Sequence, residues 1–502
     1  MVQFLSKYIG QIVSGASNRK GPNGARQHIY DLLRAQIRDG TLPVGSRVPS
    51  TRTLAAEHSV SRTTVTSAFE QLIAEGYLET AAGQVARVAG SPAFQVTKGA
   101  ALKGSRPPSL SNYAQRVMAT HPPGSPGEPP SIDFLYGAVE LRNFPLTAWR
   151  RAYVSELVRH QPHLNYALPE GDPHFRQTLH AYLRRARGLT CDADQIIVVN
   201  GATQALDLCA RLLLDPGDAF AMEEPGYVTA RRSFEATGAR RLSVPVDANG
   251  LVTAKLPEGH NARLVYVTPS HQFPLGGVLP IGRRLELLAW AKRQDAWIIE
   301  DDYDGEFRYG QRPIDALQSR DSEGRVIYVG TFSKALSPQL RLGYLVLPRQ
   351  LVSAFRQAKR LTDHHAPVLE QRTLAALIES GAYERHVRRV RRDYDRKRRT
   401  LIASVAQYLP ADARIGGDAA GLHVVLWLPS FQPEDERRIA SAARHRGVGV
   451  YPVSPLFADA LNHFHPRPAG LILGYASLSL EQIQNGIRIL ASTMAAASAN
   501  LD

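Results

Sequence analysis

Apolar residues recur along this chain with two different periods. From Arg26 the stretch ARQHIYDLLRAQIRDG places Ile29, Leu32, Leu33 and Ile37 on one helical face, and Gly40 stops the pattern. After a TLPVGSR turn, Ser50 is placed to cap a short helix whose Leu54 and Ala55 face inward. Ser61 then caps a third helix with the stripe Val65, Ala68, Phe69, Leu72 and Ile73, ended by Gly76. Two short helices joined by a tight turn predict a helix-turn-helix. Arg62, Thr63 and Thr64, at the start of its second helix, lie off the apolar stripe and are expected to reach a major groove.

Beyond Ile132 the pattern changes to apolar, strand-like runs alternating with amphipathic helices, which predicts an α/β fold around a mainly parallel sheet. Four of the runs end in unusual polar residues. QIIVV leads into Asn200-Gly201-Ala202-Thr203-Gln204, LVYV into Thr268-Pro269-Ser270-His271-Gln272, AWIIE into Asp301-Asp302-Tyr303, and VIYV into Gly330 and TFSKALSPQLRLGY. Open α/β sheets bind ligands at the C-terminal ends of their strands, so these four ends are expected to meet at one site. Between the two patterned regions, residues 90–131 are rich in Pro, Gly, Ser and Ala, the composition of a semi-rigid tether. The expected organisation is a DNA-binding domain over 1–89, a linker over 90–131 and a large domain over 132–502.

Composition supports more than one domain: 502 residues exceed an ordinary single core, and 44% are hydrophobic. Neither a membrane span nor a secretory leader is evident, which points to the cytoplasm. Cys191 and Cys209 are the two cysteines; they exclude a disulfide framework or a cysteine-based zinc site, and no metal is assigned. The formal charge is +14, and residues 1–131 carry 14 Lys+Arg against 7 Asp+Glu, half of the excess in about a quarter of the chain. A basic N-terminal module fits double-stranded DNA. A second basic run, residues 385–399, has helical spacing and interspersed Asp393 and Asp395, and reads as a solvated helix face.

The candidate chemistry centres on Lys334. A lysine in a short Ser/Thr-rich turn can present its amine to an aldehyde, while Ser333 and Arg341 suit a phosphate. That combination suggests pyridoxal 5'-phosphate, which also needs a carboxylate at its pyridine nitrogen, a donor at its ring hydroxyl and an aromatic face. Asp301 and Tyr303, two apart, are assigned to the nitrogen and the hydroxyl, with Asp302 the rival for the first role. Tyr227, after a Pro-Gly turn, is the stacking candidate. The helix start at Ala202 and Thr203 offers free backbone N–H groups to an anion.

GTLPVGSRVPSTRTLAAEHSVSRTTVTSAFEQLIAEGYL resembles the winged helix-turn-helix of the GntR family of bacterial regulators. The resemblance implies DNA contacts by Arg52, Ser61, Arg62, Thr63 and Thr64, with Arg47 beside them. The expected wing departs from the family, reading TAAGQVARVA where a Gly-Ser-Gly-Thr-hydrophobic tip is usual. NGATQALDL, EEPGY, TPSHQFPLGGVLP, IEDDYDGEFRYG and TFSKALSPQLRLGYLVLP resemble the fold-type-I aminotransferase domain of MocR-type regulators, a GntR subfamily. Together the matches run from about residue 26 to the C-terminus, apart from the linker. They imply Lys334 as the Schiff-base lysine and a phosphate site at Ser333 and Arg341 helped by Ala202 and Thr203. They also imply a homodimer in which Tyr166 reaches the neighbouring subunit's cofactor phosphate.

Two departures separate the chain from working aminotransferases. Ile472 stands where an arginine usually clamps the substrate carboxylate, and Phe273 stands where an Asn-Pro-x-Gly turn usually has its asparagine. The expected function is therefore a transcriptional regulator whose large domain senses an amino compound or the cofactor itself. The alternatives are an active aminotransferase with an accessory DNA-binding module, and a DNA-binding protein with an inert scaffold.

Overall fold

The N-terminal helical stripes fold as helices Pro22–Arg38, Thr51–Glu57 and Arg62–Ala74, followed by a two-stranded antiparallel wing, β1 (Leu78–Glu79) and β2 (Arg87–Val88). Ile29, Leu33, Ile37, Leu54, Val65, Ala68, Phe69, Leu72, Leu78 and Val88 make one buried cluster. So small a module closes its core this way because each helix contributes one apolar stripe and the wing adds Leu78 and Val88. The second and third helices start at Ser50 and Ser61, whose hydroxyls accept the backbone N–H groups of Thr53 and Thr64, both at 3.1 Å. Such caps contribute about 1 kcal/mol each.

This computed structural model describes residues 22–81, 84–90, 109–119, 128–159, 165–259, 262–310, 314–457 and 467–498. The chain divides into two units between Ser109 and Leu110. Part of the stretch expected to be a tether behaves otherwise. Residues Asn112–Ala119 form a helix, and Arg116 donates from Nε to Ala236 O (2.8 Å) and from Nη2 to Thr237 O (3.0 Å). Its guanidinium thereby satisfies carbonyls at the end of helix Val228–Glu235, a tertiary contact that Pro- and Gly-rich composition around it conceals. The rest of the expected linker lies largely outside the described residues.

The second unit is built on a large sheet. After β3 (Ile132–Asp133) come β4 (Ile196–Val199), β5 (Ala219–Glu224), β6 (Arg240–Asp247), β7 (Gly250–Leu251), β8 (Ala262–Val267), β9 (Trp297–Asp302), β10 (Val326–Thr331) and β11 (Gly343–Val346). The sheet order is β4-β11-β10-β9-β8-β5-β6-β7. Strands β6, β5, β8, β9 and β10 pair in parallel, whereas β11 runs antiparallel between β10 and β4. Both faces are covered, by one cluster around Ile197, Leu206, Phe220 and Ile299 and by another around Val244, Val265, Trp290 and Ile298. Hence the strands are continuous apolar runs without alternation.

C-terminal to this, β12 (Arg414–Gly416), β13 (His423–Leu428), β15 (Tyr451–Pro452) and β16 (Ala469–Gly474) form an antiparallel sheet, while β14 (Val448–Gly449) pairs with β3. The β3 segment is thus stitched to the C-terminal part: Phe134 N–H donates to Gly449 O (2.9 Å), and Gly474 N–H donates to Phe134 O (2.8 Å). This holds Tyr136 and Gly137, which follow β3, over the large sheet. Among the described residues no helix is long and apolar enough to cross a membrane.

Candidate functional site

The four polar strand ends converge. A cavity of about 300 Å³ is lined by Ala202 and Thr203 after β4, Phe273 after β8, Asp301 and Tyr303 at the end of β9, and Thr331, Ser333, Lys334 and Arg341 after β10. Tyr227 lines it as well. An open groove of about 690 Å³ on helix Ala382–Tyr408, lined by Arg385, Arg388, Arg389, Arg391 and Arg392, is larger but gathers none of these groups.

Adjacent carboxylates on β9 point to opposite faces, as the pleat requires. Asp301 is buried and takes the Tyr266 hydroxyl on Oδ2 (2.7 Å), while its Oδ1 is buried without a hydrogen-bond partner. Burial pushes its carboxyl up to about 7, against the pull of the Tyr266 hydrogen bond. Asp302 turns away from the cavity to Arg187 (2.5 Å) and the Tyr328 hydroxyl. Of the two rivals, Asp301 is therefore the one that faces Lys334.

Lys334 is half-buried, and its Nζ donates to Gly137 O (2.7 Å). Burial lowers its amine pKa, with Asp304 and Asp301 opposing that shift. The lysine loop is braced by Thr331, whose Oγ1 accepts Ser333 N–H (3.2 Å) and donates to Ser333 Oγ (3.0 Å). Arg341 adopts a left-handed φ of 51° and donates from Nη2 to Asn200 O (2.7 Å). That places its guanidinium beside Gly201, whose φ is 82° and where an added Cβ would lie 2.8 Å from Arg341 Nη2. The glycine lets the guanidinium approach the start of helix Ala202–Leu213, a positive helix end beside a fixed positive charge.

Tyr303 sits in a small network: its hydroxyl is 2.9 Å from His271 Nδ1, which is 2.8 Å from Asp304 Oδ2. Burial works against a charged His271, but the Asp304 carboxylate outweighs it and raises the imidazole pKa. Tyr227 meets Phe273 edge-on, with ring centroids 5.9 Å apart. Ile472 is fully buried in β16, opposite Val425 and Tyr451, in an apolar cluster with Phe273, Val453 and Leu456.

Tyr166 is not among the residues that line the cavity. It is 79% exposed and stacks on His364, centroids 4.6 Å apart. Sequence reasoning missed Tyr136, Gly137, Tyr266, Leu422 and His423, all of which line the cavity. None lies in a polar strand-end motif; Tyr266 is one residue short of the end of β8, and the rest arrive by tertiary packing.

On the N-terminal unit, Arg47, Arg52, Arg62 and Thr63 are exposed, and Thr64 is half-buried. The three guanidinium groups have no hydrogen-bond or ion-pair partner among the described residues. The hydroxyls of Thr63 and Thr64 both lie 2.7 Å from Ser61 Oγ, so Ser61 organises the helix start as well as facing outward. In the wing, Arg87 Nη1 donates to Gly45 O (2.8 Å).

Comparison with known proteins places both parts. Residues 25–88 match the bacterial regulatory proteins of the gntR family, and residues 134–466 match aminotransferase class I and II. The chain is 38% identical over 94% of its length and 94% of the other's to the probable rhizopine catabolism regulatory protein MocR of Rhizobium meliloti. It is 36% identical, over 95% of this chain and 97% of the other, to the uncharacterized HTH-type transcriptional regulator YhdI of Bacillus subtilis. Among solved structures, Pyrococcus horikoshii kynurenine aminotransferase, in complex with PMP, superposes with a TM-score of 0.67 at 26% identity, covering 78% of this chain and 95% of that one.

Proposed function

The chain belongs to the MocR-type regulators of the GntR family, with an aminotransferase class I and II domain behind a gntR helix-turn-helix, and on that premise we propose that it regulates transcription in response to a pyridoxal phosphate-dependent ligand signal. The helix-turn-helix supplies DNA binding. Arg62 and Thr63 are read as facing base edges, with Arg47 and Arg52 at phosphates and Ser61 and Thr64 fixing the helix start.

The observation that carries the cofactor assignment is that Asp301, whose buried Oδ1 has no hydrogen-bond partner, lines the same cavity as Lys334. A carboxylate with a free oxygen fits a protonated ring nitrogen, which would restore the partner that burial denies it. Tyr303 fits the ring hydroxyl and Tyr227 the ring face. Ser333, Arg341, Ala202 and Thr203 fit the phosphate, the last two through backbone N–H groups at a helix start. When bound, the cofactor's aldehyde supplies reversible condensation with primary amines. Lys334, held at Gly137 O with its amine pKa lowered by burial, supplies the nucleophile at modest pH. Tyr166, exposed and not among the residues lining its own chain's cavity, supports a homodimer in which it meets the other copy's phosphate.

Sensing requires that ligand affinity differ between two conformations of the chain, since a ligand binding both equally shifts nothing. The alternative of a turning-over aminotransferase is opposed by Ile472, which contributes no charge for a substrate carboxylate. The cofactor assignment is tested by incubating the purified chain with pyridoxal 5'-phosphate, reducing with borohydride and mapping peptides. A phosphopyridoxyl group on Lys334 is expected; no label, or a label on another lysine, contradicts it.

A further inference from the structure

Besides the residues that would hold a cofactor, the cavity is lined by Leu422 and His423, at the head of β13. His423 is buried, and its Nε2 lies 3.0 Å from Pro274 O. A carbonyl only accepts, so Nε2 carries the hydrogen and Nδ1 keeps its lone pair. Burial, reinforced by the neighbouring His271, holds this imidazole down to about 4, so it stays neutral at physiological pH. His271, with ring centroid 5.6 Å away, is committed to Asp304 and Tyr303. The two histidines are thus split between a charge-paired state and a neutral acceptor.

Phe273, which lines the cavity, packs in one apolar cluster with buried Val425, Val453, Leu456 and Ile472, none of which lines it. Arg467, the nearest arginine in sequence to Ile472, is spent on Glu436 (2.6 Å) and Ser454 Oγ (2.7 Å). Among the described lining residues the cations are Lys334 and Arg341, and Arg341 lies at the helix start beside Asn200.

We propose that the ligand sensed in this cavity is a primary amine whose second polar group is an uncharged hydroxyl donating to His423, and that amines bearing a carboxylate are disfavoured. The proposal rests on the cofactor assignment above. A hydroxyl gives its hydrogen to the imidazole and its carbon chain to Phe273 and Leu422, the apolar side chains that line the cavity beside it. A carboxylate has only acceptors, so it would meet a lone pair and an apolar surface, leaving a charge desolvated without a partner. Selection by pairing one donor with one acceptor discriminates more sharply than added methylene contact.

The test uses the full-length, cofactor-loaded chain and calorimetric titration with unbranched amino alcohols of two to five carbons, against the amino acids and alkylamines of equal length. At the best length the amino alcohol is expected to bind at least about 10-fold more tightly than either counterpart. In His423→Phe its advantage over the alkylamine should collapse to within about 2-fold, and Ile472→Arg should turn preference toward the amino acid. An amino acid that binds as well as the alcohol at every length overturns the proposal, as does an alkylamine that does so. Absence of binding by all three series, with cofactor absorbance intact, overturns it too. Failure to acquire that absorbance is a distinct result and overturns the cofactor assignment together with it.

Discussion

At the start of helix Arg62–Ala74 the groups offered to a partner are exposed and unengaged, whereas at the end of β9 they are buried and held. Arg62 waits in water with no partner among the described residues; Asp301 sits in the sheet with one oxygen bonded and the other bare. The first arrangement suits a long, charged partner met at a surface, where affinity comes from displaced counterions. The second suits a small ligand that must replace lost hydration with fixed partners. Binding energy at the DNA face is therefore added to a stable fold, while in the cavity it relieves a cost already built into it.

Breaking the buried side should have the larger effect. Asp301→Asn removes the acceptor for a protonated ring nitrogen, and cofactor affinity should fall on the order of 100-fold, close to the coupling of a buried charge pair. The same change should stabilise the cofactor-free chain at pH 8. The folded carboxyl titrates at about 7, above its unfolded value near 3.9, so the folded chain binds the extra proton between those values. Its stability accordingly falls as pH rises from about 4 to about 7, by up to about 4 kcal/mol from this group, and stays low above. Calorimetric melting at pH 4 and pH 8 should show variant and parent alike at the first and the variant higher at the second.

Arg62→Ala is the corresponding change on the exposed face. DNA affinity should drop by about 1–3 kcal/mol with melting temperature and cofactor uptake unchanged, as measured by fluorescence anisotropy on duplex DNA. Arg52→Ala should lower the salt slope of that affinity by about 1, without sequence dependence. A smaller loss is expected from Gly201→Ala. It forces a side chain into φ 82° and against Arg341, costing about 1–2 kcal/mol in stability and weakening phosphate retention, read by equilibrium dialysis of the cofactor. Ser61→Ala should cost about 1 kcal/mol of N-terminal unit stability, seen by denaturant titration, through loss of the cap to Thr64.

The two regions also differed in how much could be read from sequence. The helix-turn-helix is local: its caps, stripes and stops lie within the segments they shape, so Ser50, Ser61 and the Leu72 stripe were visible. In the cavity, Asp301, Tyr303, Ser333, Lys334 and Arg341 were visible because each lies at or just beyond a strand end. Gly137 and His423 were not, since they approach Lys334 only when β3 pairs with β14 and β13 pairs with β16. The choice between Asp301 and Asp302 likewise needed the pleat and Arg187, which lies more than a hundred residues earlier in the chain. Helix Asn112–Ala119 was hidden because its anchor, Arg116, bonds to carbonyls at residues 236 and 237.

The central claim, that occupancy at Lys334 is reported at the DNA face, is tested most directly by titrating duplex DNA from upstream of the chain's own gene with cofactor-free and cofactor-loaded protein. Loading should change the affinity of the parent chain by at least about 5-fold, the lower end of ordinary coupling between sites, and Lys334→Ala should not respond. Equal DNA affinity with and without cofactor, or a Lys334→Ala variant that responds as the parent does, would contradict it.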